Sequence, residues 1–387
     1  MRILIIGCGV GGLAAAIALQ RAGIDAELYE QADGLREVGA GIGLAPNALR
    51  AFDVLGLGSE IRSESLAVQG SLRKPNGDVL VGIPTEELGG VGIISVMHRA
   101  ELLALLARQI DPARIHLGRT CAGFEQDGDG VTARFQSGET ARGDGLIAAD
   151  GLRSVIRSQL VGSRPVRYAG YTAWRSVVDF GNSRDLAMSE TWGLGRRFGV
   201  VPMSRGRVYW FATHNAPEGQ RDSHGRTKEA LGHLFRGWHQ PVEELIGRAE
   251  EGAILRNDIF DIDPLPGCVK GRVALLGDAA HAMTPNLGQG ACQAIEDAVV
   301  LAACLKKLGH VEPGLLEYER RRAPRTRDFV LRSRSFGVVA QWDNPVLCAV
   351  RDAGMRLMPK KMALRQLQSL LEFRILTESE EGIFKGR

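Results

Sequence analysis

The chain has 387 residues, 44% of them hydrophobic, enough for two or three packed domains. Its 48 basic and 45 acidic residues leave a net charge of +3, too small to indicate nucleic-acid binding. Charges interrupt every apolar run before it reaches membrane-spanning length. The six cysteines form no C-x-x-C pair or histidine cluster, so the expectation is a cytoplasmic protein with reduced thiols and no metal site.

Met1 to Ile6 is an Ile-rich apolar run, as in a buried parallel strand. Gly7, Gly9 and Gly12 follow in G-x-G-x-x-G spacing, with Gly11 between them. The first glycine suits a tight turn, the second a close approach to pyrophosphate, the third helix–strand packing. Leu13 to Arg21 predicts an Ala-rich helix whose N-terminus offers free N–H groups to phosphate. The strand Ala26 to Glu30 ends in an acid placed to accept ribose hydroxyls, and Gln31 follows it. A buried helix with incidental glycines and a signal peptide are the competing readings. The glycine spacing and Glu30 argue against both.

A glycine-rich connection, Gly39-Ala-Gly41-Ile-Gly43, leads to a predicted helix at Asn47–Leu55. Residues 66–95 carry hairpin signals at Pro75-Asn-Gly77-Asp. His98 to Ile110 predicts an amphipathic helix, residues 115–149 strands with a turn at Asp127–Gly130, and Asp150-Gly151 a short helix bearing Arg153 and Arg157. Aromatic residues then gather between 168 and 215, where strands at 171–179, 197–203 and 206–214 predict an antiparallel sheet. Residues 227–248 read as helical. A buried strand at 272–276 opens a second signature, Gly277-Asp278-Ala-Ala-His281, followed by Thr284-Pro285-Asn-Leu-Gly288-Gln289-Gly290. Helices are expected at 290–307, 313–335 and 355–375.

Asp278 at a strand end can accept a ribityl hydroxyl. A helix starting after Gly288-Gln289-Gly290 can aim its N-terminus at the pyrimidine edge of a flavin, where reduction puts negative charge. Two distant segments thus grip one dinucleotide, and FAD fits both. The expected fold is α/β: a discontinuous Rossmann-like FAD-binding domain (1–70, 96–165 and 266–340), an inserted antiparallel β-sheet substrate domain (71–95 and 166–265), and a C-terminal helical segment (341–387).

With these motifs the chain resembles the single-component FAD-dependent aromatic hydroxylases, the class of para-hydroxybenzoate and salicylate hydroxylases. The carriers are Gly7-x-Gly9-x-x-Gly12, Ala149-Asp150-Gly151, and Gly277-Asp278 with Pro285–Gly290. Along Arg197 to Tyr209 it is also similar to FAD-dependent urate hydroxylase. The resemblance implies an enzyme in which NADH or NADPH reduces FAD, O2 forms a C4a-hydroperoxyflavin, and oxygen passes to a small aromatic or heteroaromatic substrate. A flavin dehydrogenase or reductase on the same fold is the alternative, and an FAD-holding membrane-associated protein a third. The resemblance makes Arg99 and Arg36 FAD contacts, with Gly43 offering backbone. It gives Asp150 either a cofactor role or a loop-holding one. Arg197, Tyr209 and Pro285 become candidates for the substrate side. Tyr209 can instead be an ordinary aromatic strand residue. Ala173 stands where the urate enzyme carries an amide, which points to a greasier substrate. His281 reads as structural, the run Arg320–Arg322, Arg325 and Arg327 as a solvated helix face, and the C-terminal segment as a packed amphipathic helix. Monomer and homodimer both remain open.

Overall fold

The computed structural model describes residues 1–35, 40–82, 93–359, 361–362, 368, 371 and 376–384. Its centre is a six-stranded sheet in the order Val269–Lys270, Val273–Leu275, Gly145–Ala148, Arg2–Ile6, Asp25–Tyr29, Ile115–His116. All neighbours run parallel except the first pair. Ile3, Leu4 and Ile5 are fully buried, which explains why this strand is apolar at successive positions rather than alternating. The first helix, Val10–Arg21, packs its alanines against the sheet and against a later helix, Gly290–Leu308. Small side chains permit that close approach. Gly23, at φ +72°, ends the first helix.

A second sheet has seven strands, in the order Leu255–Asp261, Arg167–Asp179, Arg207–Asn215, Arg196–Pro202, Met188–Trp192, Gly70–Arg73, Val79–Gly82. One face carries Trp174, Phe198, Val208 and Trp210, buried beneath the helices Thr227–Leu234 and Val242–Arg248. Phe198 stacks on Trp210, with ring centroids 5.5 Å apart. The other face presents Val177, Met188, Val201, Tyr209 and Phe211 to a small sheet of Gly41–Leu44, Ile94–His98 and Leu66–Val68. Val68, Val96, Leu66 and Ile94 meet them there.

Several boundaries differ from expectation for local reasons. The helix expected over 98–110 spans Arg99–Ala107, because the His98 ring accepts a hydrogen bond from the Ala100 amide and caps it. The span 227–248 holds two helices, broken by Gly237 at φ +75° and Pro241. The helix expected at 313–335 is longer, Val311–Ala340. A further helix, Pro345–Leu357, precedes the expected one and starts where Asn344 accepts hydrogen bonds from the Val346 and Leu347 amides. Most of the expected 355–375 helix lies outside the described residues. All six cysteines are buried and unpaired.

Candidate functional site

The first signature is held by contacts only glycine allows. Gly7 sits at φ +102°, and a Cβ there would lie 2.5 Å from the Ala149 carbonyl oxygen. A Cβ on Gly12 would lie 1.9 Å from the Gly7 oxygen. At Gly9 a Cβ would meet no atom within 4 Å, so this edge of the helix N-terminus is open. Glu30 closes the loop. Its Oε2 accepts from the Cys8 amide at 2.8 Å, and its Oε1 from the Ala32 amide at 3.0 Å. Gln31 is exposed beside it, and Arg36 lies outside the described residues. Gly11, also expected among the cofactor contacts, packs against protein where a side chain would point. Its Cβ would fall 2.8 Å from Leu276 Cδ2 and 3.1 Å from Ala294 Cβ. That absence of a side chain joins the first signature to the second.

The second signature begins one strand away, with Leu146–Ala148 paired to Val273–Leu275. Gly277 turns at φ +62° and leaves the Asp278 side chain exposed. Asp278 Oδ1 lies 3.8 Å from where a Gly290 Cβ would be, so the acid sits at the N-terminus of the helix Gly290–Leu308. Pro285 is exposed in a short turn, Gly288 is left-handed at φ +61°, and buried Gln289 stands at the position before the helix without capping it by its side chain. Between the signatures, Asp150 Oδ2 accepts from the Val155 and Ile156 amides at 3.0 and 3.5 Å. Burial pushes this carboxyl up, against the pull of those hydrogen bonds. Its Oδ1 is buried without a hydrogen-bond partner among the described residues. Arg157, which the sequence placed on a short helix without a role, is buried and feels both Asp150 and Asp278. It donates to the carbonyl oxygens of Ala279 (3.1 Å) and Leu152 (2.5 Å). Gly43 completes this strip, its carbonyl oxygen 3.8 Å from the Cys292 thiol. Arg99 is exposed at the start of its helix, its amide bonded to Ala40.

A buried ionic network holds the second signature in place. Asp297 Oδ2 accepts from the Gly277 amide at 3.1 Å and meets His281 Nε2 at 2.6 Å. Arg322 donates to Asp297 and Glu296, both at 2.6 Å, and to Gln293 at 2.8 Å. Asn47 donates to Glu296 (2.6 Å) and Gln289 (3.0 Å), and Arg325 to Glu296 (3.0 Å). Burial raises the Asp297 carboxyl, but His281 and Arg322 outweigh it and hold the group below its ordinary value. The expectation of a solvated arginine face therefore fails at Arg322, which is 1% exposed. Glu296 and Asp297 were the missed signal: two adjacent acids inside an apolar helix require buried cations.

The face of the seven-stranded sheet with Tyr209 and Phe211 carries the other candidates. Directly opposite residues share a face. Arg197 faces Thr213, Val201 faces Tyr209, and Val177 also faces Tyr209. The Tyr209 ring lies against Gly41, where a Cβ would come within 2.6 Å of Cγ. Burial pushes its hydroxyl up, so it is a proton donor at neutral pH. Arg197 is 2% exposed and already engaged. It donates to Gln341 (2.6 Å), Glu190 (2.9 Å) and Asn286 (2.8 Å). Tyr171 also donates to Asn286, at 3.1 Å. Arg197 thus ties the sheet to the Pro285–Leu287 turn rather than standing ready for a free anion.

These features fit a flavin dinucleotide: an open helix N-terminus at Gly9, an exposed acid at Asp278, and a buried unpartnered oxygen at Asp150. A family model described as an FAD binding domain matches residues 1–333. The chain belongs to this family. It is 41% identical over 379 residues to aurachin C monooxygenase/isomerase of Stigmatella aurantiaca, covering 96% of this chain and 98% of that protein. It is 37% identical over 344 residues to FAD-dependent urate hydroxylase of Klebsiella pneumoniae, covering 86% and 89%. The fold matches Klebsiella pneumoniae HpxO complexed with FAD and uric acid at a TM-score of 0.89, with 32% identity and 96% of each chain covered. A salicylate hydroxylase substrate complex shares the fold at a TM-score of 0.81 and 23% identity. This family member is an FAD-dependent monooxygenase.

Proposed function

We propose that the chain uses NADH or NADPH and O2 to hydroxylate a small, largely apolar aromatic or heteroaromatic compound. The observation that carries this reading is the packing of both signatures on one another through Gly11, Leu276 and Ala294, which makes one binding strip of two distant segments. Bound FAD would supply electron transfer and oxygen activation; the protein supplies position and exclusion of water.

In this reading Gly7, Gly9 and Gly12 hold the pyrophosphate at the first helix N-terminus, and Glu30 and Gln31 meet the adenosine ribose. Asp278 takes the ribityl chain, and Gly288, Gln289 and Gly290 set a helix N-terminus at the pyrimidine edge. Arg99, Gly43 and Asp150 line the remaining strip. Arg36 has the same assignment from the resemblance alone. On the substrate side, Tyr209 donates to a ring oxygen, Pro285 shapes the turn above the flavin, and Arg197 positions that turn. Val177, Met188, Val201 and Phe211 form an apolar wall, which favours a greasier ring than urate. We assign residues 1–70, 96–165 and 266–340 to the FAD-binding domain, 71–95 and 166–265 to the substrate domain, and 341–387 to a C-terminal segment. The buried free thiols suit a reducing compartment such as the cytoplasm.

The test follows NADH and NADPH oxidation by the FAD-loaded protein with phenolic acids, heteroaromatic acids, urate and polycyclic phenols. Products are read by mass spectrometry under labelled O2. A substrate-stimulated rate with one labelled oxygen in the product is the expected result. Stimulated turnover with unlabelled product would make the protein a dehydrogenase or reductase, and no stimulation by any compound would overturn the reading.

A further inference from the structure

We propose that Arg175 is the substrate-recognition cation of this site, holding an ionised ring oxygen of the aromatic substrate beside Tyr209. The inference rests on the hydroxylase reading above, and nothing in the motifs points to this residue.

Among the described residues, three arginines near Tyr209 share its face of the seven-stranded sheet, and a fourth at the far end, Arg167, is paired with Asp261. The strand Arg167–Asp179 places Arg175 opposite Phe211 and Val177 opposite Tyr209. Arg197 lies opposite Thr213, and Arg207 sits two residues before Tyr209 on the same strand. Two of the three are neutralised. Arg197 pairs with Glu190 at 2.9 Å. Arg207 pairs with Glu101 at 2.9 Å. Glu190 is committed further, since its Oε1 also accepts from Trp192 at 3.0 Å. Another acid of the face, Asp179, is exposed at the strand end opposite Arg207.

Arg175 differs. It is half-buried; its Nη1 makes a 3.4 Å contact to the Asn257 amide oxygen, and its only other hydrogen-bonding neighbour among the described residues is the Tyr209 hydroxyl. No carboxylate among the described residues pairs with it. A half-buried guanidinium without a counterion holds unused donors in a planar fork suited to an oxyanion. Its neighbour reinforces this. Tyr209 feels Arg175 through charge and hydrogen bonding, opposed to the burial that keeps the hydroxyl protonated. An ionised substrate oxygen would therefore receive a neutral donor and a cation from adjacent strands. Phe211 lies opposite Arg175 and Val177 opposite Tyr209, apolar neighbours that strengthen the charge interaction.

The chemistry gives such a pair a purpose. An ionised ring oxygen pushes electron density into the ring carbons that take up an electrophilic oxygen. Arg175 stabilises that form, and the phenol proton leaves to bulk water. The paired Arg197 cannot offer the same net charge.

The experiment uses the FAD-loaded protein and 4-nitrophenol, whose phenolate has its own visible band. Binding is followed by perturbation of the flavin spectrum across pH, and the bound ionisation state by the phenolate band. The wild type is expected to bind the phenolate about tenfold more tightly than the phenol, equal to one unit of lowered pKa in the bound ligand. R175Q is expected to lose that preference and R175K to keep most of it. FAD content and thermal midpoint of each variant report folding. A wild type without phenolate preference, or an R175Q protein that retains it, overturns the assignment. The readout needs no turnover, so it separates this inference from the question of oxygen insertion.

Discussion

At the scale of single residues, glycines of one loop do different work, and substitution separates the roles. An alanine at Gly12 would place Cβ 1.9 Å from the Gly7 oxygen, a contact that cannot form without moving the loop. We expect Gly12→Ala to lose FAD by more than tenfold in affinity and to lower the thermal midpoint of the apoprotein. An alanine at Gly9 meets no protein atom. Gly9→Ala should leave the apoprotein midpoint unchanged yet still weaken FAD, because its methyl group would occupy the open edge of the helix N-terminus. Flavin fluorescence titration and differential scanning fluorimetry of the two variants check the pair. Equal loss of apoprotein stability in both would show that Gly9 packs against protein after all. Asp278 offers a third comparison. Its exposed carboxylate makes no hydrogen bond among the described residues, so Asp278→Asn should cost little stability. If it accepts a ribityl hydroxyl, FAD affinity falls by about 1.5–3 kcal/mol, the range for a hydrogen bond to a charged group.

At the scale of elements, the helix Gly290–Leu308 and the long helix Val311–Ala340 are locked by Glu296, Asp297 and Arg322. All three side chains are essentially inaccessible. Removing one partner strands a buried charge, so Arg322→Met should destabilise the fold by about 3–5 kcal/mol, measurable by urea unfolding. The pH dependence has a definite sign. Asp297 has a folded-state pKa below its unfolded value, held there by His281 and Arg322 against burial. Its contribution is present above the unfolded value and is lost as pH falls through the folded one. Stability should therefore drop as pH is lowered from about 4 toward 2, and Asp297→Asn should flatten that part of the curve. A wild-type curve as flat as the variant's would rule out the ion network as its source. These elements also mark what a linear sequence conceals. Strand, glycines, helix and Glu30 were legible because they are local and ordered. Asp297 and Arg322 are 25 residues apart on different helices, and helical periodicity alone cannot show that an arginine in a basic run turns inward. The packing at Gly11 was hidden for a similar reason, since its neighbours Leu276 and Ala294 come from the far end of the chain. The inward orientation of Arg175 likewise depends on strand register, which its aromatic neighbours did not fix.

At the scale of the whole molecule, one long helix touches both halves of the proposed chemistry. Near its start Arg322 braces the second signature. In its middle Ser333 accepts from Asn286 through its backbone oxygen at 3.0 Å and donates to the Thr284 carbonyl at 2.6 Å. Arg334 binds Asp261 of the large sheet at 3.0 Å. Just beyond its end, Gln341 accepts from Arg197 at 2.6 Å and Thr213 at 2.9 Å, and donates to Asn215 at 2.8 Å. The Pro285–Leu287 turn and the seven-stranded sheet are therefore positioned by one helix, which fixes their separation more closely than loops would. Gln341→Ala removes the tie at the sheet end alone. FAD affinity should stay within about twofold of wild type, because the Arg322 end is untouched and sites this distant add independently. Coupling should suffer, since a small displacement of the reacting groups can cost orders of magnitude in rate. With a substrate in hand, the variant should consume NAD(P)H at a near-normal rate while releasing more hydrogen peroxide and less hydroxylated product. The ratio of product to NAD(P)H consumed measures this directly. A Gln341→Ala protein with undiminished coupling would show that the sheet keeps its place without the helix, leaving Arg197 and Asn286 to hold the two halves together.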